Sequence, residues 1–138
     1  MAAVKRKIKR FVIDVNTYVT IFINKDTQWL LHYIATNKLE IFVDSHLLFE
    51  LARVLEYSKI KKLLPLPPAI YLSFIRLIST EITSKPWGIS SPDPMDNYLF
   101  DLALSTHSKL LVTGDKALLE WESAPIKMIS LPTFKKMF

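Results

Sequence analysis

Short apolar runs alternate with longer amphipathic stretches along this chain, and that alternation restricts its fold more than any other feature. Phe11–Asp14, Leu39–Val43, Lys109–Thr113 and Ile126–Ile129 read as strands. They are too short for helices and mostly apolar at successive positions, as in strands buried on both faces. Between them, Thr17–Ile23, Thr27–Thr36, Ser45 to about Tyr57, Pro68–Thr80 and Met95–Thr106 have helical character. Asp26 and Ser45 are the expected N-caps of the second and third of these. The Pro-Leu-Pro-Pro stretch at 65–68 marks a break, because proline lacks an amide donor and restricts its predecessor. Shorter helical turns are expected at 58–64, 116–120 and 131–138, and an irregular stretch with an edge strand at 82–91. Strand and helix in alternation predict an α/β domain with a mainly parallel sheet covered on both faces.

The 138 residues suffice for one domain with a real core. No repeat or linker divides them, so residues 5–138 are read as a single domain, and residues 1–4 as an extension that can derive from expression. The chain has no cysteine, which excludes disulfides, thiolate nucleophiles and Cys-ligated zinc or iron–sulfur sites. Its longest uncharged stretch, LLPLPPAIYLSFI, holds three prolines and falls short of a membrane span. The basic start VKRKIKR runs directly into Phe-Val-Ile-Asp, so no signal peptide is expected and the cytoplasm is the expected location.

Four acids stand where a predicted element meets an apolar run. Asp14 ends the first strand, Glu50 lies among the leucines of SHLLFELARVL, Asp96 opens a helix in DPMDNYLFDLAL, and Asp115 follows the strand LLVT. At about 100° per residue, Leu99, Phe100, Ala103 and Leu104 share the face of Asp96, whereas Asp101 lies about 140° away on the polar side. Glu50 sits at the edge of its apolar stripe. Carboxylates on apolar faces are costly to bury without partners, and a hard divalent cation is one partner that serves all four.

Each acid also has a local reading. Asp14 and Asp115 can cap the segments that follow them, and Glu50 can pair with Arg53 at i+3. Asp93 before Pro94 is a helix N-cap with proline at the first helical position, which puts Asp96 at the third position of a capping box. His32, His46 and His107 lack ligand spacing and read as surface or satisfied residues.

The net charge of +5, with Lys5, Arg6, Lys7, Lys9 and Arg10 clustered at the front and Lys59, Lys61 and Lys62 in a second patch, favours a polyanionic partner. Bases on the rim with acids at the centre suit a metal-dependent enzyme acting on phosphate esters.

Four stretches, VIDVN at 12–16, SHLLFELARVL at 45–55, DPMDNYLFDLAL at 93–104 and LLVTGDKALL at 110–119, together resemble the PIN-domain nucleases. Within them the chain is most similar to the small bacterial and archaeal toxins of toxin–antitoxin pairs. The resemblance implies a three-layer α/β/α sandwich and a metal-dependent endoribonuclease. Asp14, Glu50, Asp96 and Asp115 would hold one or two Mg²⁺ or Mn²⁺ ions as catalytic ligands. Asn16 and Thr113 match accessory positions, and Asp93 an additional acid of the subgroup reading Asp-Pro-x-Asp. Asn97 stands where many of that subgroup carry a further Asp. RNA is the implied substrate, with Arg10 (or Lys9) and Lys116 as phosphate contacts; Tyr18, Tyr98 and Trp87 are available to stack on bases, although buried packing is the expected use of most of them. The implied partners are a cognate antitoxin laid over the acidic cleft and a second copy of the chain, to which Leu63–Tyr71 is expected to contribute.

Two other readings compete with this one. A haloacid-dehalogenase-type phosphatase also has Asp at the end of its first strand and a late Gly-Asp, but it needs a second Asp where this chain has Asn16. A non-catalytic module would keep the scaffold and bind RNA or protein without cutting.

Overall fold

The computed structural model describes residues 9–138. The front cluster Lys5–Lys7 and the extension at 1–4 lie outside the described residues.

Five strands form one wholly parallel sheet: β1 (Arg10–Ile13), β2 (Glu40–Val43), β3 (Ser79–Glu81), β4 (Leu110–Val112) and β5 (Lys127–Ile129). The described helices are α1 (Val15–Ile23), α2 (Thr27–Asn37), α3 (Ser45–Leu55), α4 (Ser58–Lys61), α5 (Pro68–Ile78), α6 (Asn97–Ser105), α7 (Lys116–Leu119) and α8 (Leu131–Lys135). A 3₁₀ turn, Pro94–Asp96, precedes α6.

The strand order is β3-β2-β1-β4-β5. The chain therefore winds outward from β1 to β3, crosses back, and winds outward again through β4 and β5. Right-handed crossovers in opposite directions put the connecting helices of the two halves on opposite faces, while the terminal α8 returns to pack on Trp29 and Tyr33 of α2. The result is an α/β sandwich of PIN-like architecture. β4 and the last three residues of β1 are buried throughout, as the apolar runs predicted. Phe11 meets Phe134 of α8 edge-on at 5.1 Å between ring centroids, and Phe22 of α1 packs on Tyr71 of α5 at 4.7 Å.

Local chemistry departs from the expected elements at four places. The edge strand is β3 at Ser79–Glu81, overlapping the end of the helix expected over Pro68–Thr80, not within 82–91. It is paired only with β2 and largely exposed, so no apolar run announces it. The cap of α3 is Asp44, whose carboxylate accepts from the Leu47 amide at 2.8 Å; Ser45 is the first helical residue. Asp26 occupies the cap position of α2 but makes no side-chain cap bond; it pairs with Lys135 at 2.8 Å instead. Pro94 begins a separate 3₁₀ turn, capped by Asp93 through the Met95 amide at 3.0 Å, so α6 starts at Asn97.

Candidate active site

Ligands of open parallel sheets bind beyond the carboxyl ends of the strands, where the winding direction reverses. Here that place lies between β1 and β4. The residues that leave these strands are Asp14 on one side and Thr113-Gly114-Asp115 on the other.

Asp14 is 7 % exposed. Its Oδ1 accepts from the Thr17 amide at 2.8 Å, capping α1, and its Oδ2 accepts from the Thr113 hydroxyl. The same hydroxyl accepts from the Asp115 amide at 3.1 Å. Asp115 Oδ1 in turn caps α7 through the Ala117 and Leu118 amides at 2.9 and 3.4 Å. The capping readings of Asp14 and Asp115 are thus realised, and they fix the direction in which each carboxylate points.

Asp96 differs. It stands at the junction of the 3₁₀ turn and α6 with no side-chain cap bond, so the capping box does not form. Burial raises its pKa to about 6, with further repulsion from Asp93, Asp115 and Asp14. Asp14 is also raised, first by burial and last by Asp115, against the opposing hydrogen bonds of Thr113 and Thr17. The fourth acid, Glu50, reaches in from α3 and pairs with Arg53 at 2.7 Å; the Arg53 guanidinium also donates to the Tyr57 hydroxyl at 2.7 Å.

These four acids line one cavity of about 220 Å³, together with Asn16, Arg53 and Tyr98. Asn16 and Asp115 also border a neighbouring cavity of about 290 Å³, closed by Thr17, Thr20 and Gly114. The two cavities thus adjoin at Asn16 and Asp115.

The structure separates the other candidate residues. Asp93 is exposed, does not line the cavity, and acts on Asp96 through its charge. Thr113 is fully buried beneath the cavity. Lys116 is exposed and loosely paired with Glu120 at 3.9 Å. Arg10 is not at this edge: it opens β1 at the amino-terminal side of the sheet, held by the Thr106 carbonyl at 3.0 Å and by Glu40 at 3.6 Å. Its nearness to Asp14 in sequence spans the length of a strand. Tyr18 is fully buried and serves packing. Tyr98 reaches the cavity wall, where His46 stacks on it at 3.9 Å.

Two polar roles escaped sequence reasoning. Asp44 ends β2 as Asp14 ends β1, yet it lies buried with Ser84 donating to its free oxygen at 2.7 Å; the signal was its place after Ile-Phe-Val. Asp101 and Asn97 hold the segment after β3 against α6, accepting from the Trp87 amide at 2.8 Å and the Ser91 amide at 2.9 Å.

The donor set is entirely oxygen, as a hard divalent cation prefers. Among the described residues no three His, Asp or Glu side chains form a closed ligand cluster. A cavity of about 220 Å³ nevertheless has room for an ion with several of its waters, each with a share of liquid volume of about 30 Å³. Carboxylates spaced around a hydrated ion fit this cavity, and Asp96, half-buried and facing other acids, has much to gain from one.

No curated protein is similar enough to the chain to match it. A family model described as PIN domain matches residues 10–117, a span that contains all four acids and the whole switch point between β1 and β4. PIN domains are in general nucleases and typically bind divalent metal ions. Fold, acid placement and match agree, and the chain belongs to the PIN-domain family.

Proposed function

We propose that this protein is a metal-dependent endoribonuclease that hydrolyses RNA phosphodiesters. The observation that supports it most is the convergence of Asp14, Glu50, Asp96 and Asp115 on one cavity at the switch point of the sheet. Mg²⁺ or Mn²⁺ held by these carboxylates would polarise the phosphodiester and lower the pKa of the attacking water. Asp14 and Asp115 are oriented by their caps and by Thr113, whereas Asp96 and Glu50 face them from α6 and α3. Asn16, at the border of both cavities, is placed to donate to a phosphate oxygen. Lys116 supplies positive charge beside Asp115 for the backbone of the strand.

The resemblance to the small toxins extends this reading to a toxin neutralised by a cognate antitoxin that covers the acidic cavity. Leu63, Leu66 and Ile70 are half exposed while Leu64 and Tyr71 are buried, so only part of Leu63–Tyr71 is available to the proposed homodimer. Among the described residues no helix is long and apolar enough to cross a membrane, in keeping with the proposed cytoplasmic location.

The test is cleavage of a labelled single-stranded RNA in Mn²⁺. The wild-type chain is expected to cut it, and Asp96→Asn to bind it without cutting. Unchanged cleavage by that variant would remove Asp96 from the site. A second reading, a PIN scaffold that binds without turnover, draws on the Glu50–Arg53 ion pair and the open spacing of the acids; binding by wild type with no cleavage in Mg²⁺ or Mn²⁺ would favour it. The PIN-domain match and Asn16 both argue against the phosphatase reading.

A further inference from the structure

At the amino-terminal edge of the sheet, away from the acids, a third cavity of about 380 Å³ is lined by Trp87, His107, Lys109 and Lys127, with Leu104 and Pro125 as apolar wall. It contains no carboxylate in its lining. Among the described residues neither lysine is ion-paired, and both are exposed.

Trp87 is 50 % exposed yet held in place. Its amide donates to Asp101 Oδ1 at 2.8 Å, and its indole Nε1–H donates to Ser105 Oγ at 3.2 Å. The preceding Lys85 amide donates to the same Ser105 hydroxyl at 2.9 Å. An apolar ring tied by its edge and left half in solvent does not serve the core. His107 turns the chain from α6 into β4 with φ 56°, a left-handed conformation that histidine adopts more readily than most residues.

We infer that this cavity is a second binding site for single-stranded nucleic acid, in which a base stacks on Trp87 and adjacent phosphates meet Lys109 and Lys127. Aromatic faces beside unpaired cations are the elements of sequence-tolerant single-strand binding. The site's relation to the acids is set by α6. That helix runs nine residues from Asn97, next to Asp96, to Ser105, which anchors Trp87. Its length of about 14 Å sets the separation between the acidic cavity and the Trp87 site. The inference takes only the polymer's identity from the RNA reading; the Trp87 site requires no cleavage.

The experiment is fluorescence anisotropy of a labelled uridine oligoribonucleotide of about 12 nucleotides with the full chain in EDTA. Trp87→Ala is expected to weaken binding about tenfold, and Trp87→Phe to restore most of it, because stacking needs only an aromatic face. The Lys109→Gln/Lys127→Gln protein, altered only at exposed side chains, is expected to lose about 1.4 from the slope of log affinity against log salt, about 0.7 for each phosphate contact. Trp87→Ala and the double lysine variant both binding like wild type would overturn the inference, as would preference for anionic vesicles or a phosphopeptide over the oligonucleotide. Failure of the cleavage reading looks different: wild type then binds through Trp87 but cuts nothing in Mn²⁺.

Discussion

The Thr113 hydroxyl donates to Asp14 across a sequence separation of 99 residues while accepting the Asp115 amide. One buried side chain thereby sets the spacing of two acids from different halves of the sheet. Thr113→Val keeps the shape and removes both bonds. Leaving a buried carboxylate short of a donor is expected to cost about 1–3 kcal/mol, read as a lower urea midpoint with unchanged slope. Mn²⁺ affinity should fall as well, since Asp14 is no longer held. Stability and affinity equal to wild type would show that the hydroxyl does not organise the site.

Asp96 makes the metal-free site sensitive to pH. Its folded pKa of about 6 exceeds the ordinary 3.8, so the folded chain binds its proton more tightly than the unfolded chain does. This group's contribution to stability is full below 3.8 and is lost as pH rises through about 6. In EDTA, Asp96→Asn should therefore melt higher than wild type above pH 6, with the gap closing as pH falls toward 4. Adding Mn²⁺ at one hundred times its Kd should stabilise wild type by about 2.7 kcal/mol and the variant by less. A gap in EDTA that does not change with pH would mean that burial and the neighbouring acids do not raise the Asp96 pKa.

Arg53 competes for Glu50 within the cavity. A pair this exposed contributes little to stability, so Arg53→Met should leave melting nearly unchanged. It should tighten Mn²⁺ binding several-fold by freeing a carboxylate and removing a positive charge. Titration calorimetry reads this directly; weaker metal binding would assign Arg53 to the site as a helper, not a competitor.

Asp44 provides the contrasting case. It ends a strand and caps a helix as Asp14 does, but Ser84 satisfies it away from the cavity. Asp44→Ala is expected to cost about 0.5–2 kcal/mol while the folded fraction retains its RNA cleavage. Loss of cleavage in excess of unfolding would place Asp44 in the working site.

Most of this could be read from the sequence because burial on both faces forces β1, β2 and β4 into apolar runs. The helical angle likewise separated Asp96 from Asp101, and the structure turns Asp101 to the Trp87 amide. What escaped was decided by contacts across the fold. β3 consists of Ser-Thr-Glu, whose strand character comes from pairing with β2. Asp26 sits at a cap position, but Lys135 draws its carboxylate away. Arg10, expected to contact phosphate, opens β1 at the end of the strand away from Asp14.

The placement of β4 between β1 and β5 bears on when the molecule can work. A chain still being synthesised through β1, β2 and β3 has Asp14 at an open sheet edge, with no donor from Thr113 and no Asp115 opposite. The site is not an early local unit that later segments decorate. It closes only when the strand that is fourth in sequence enters beside the first, so an unfinished or prematurely ended chain should lack the proposed activity.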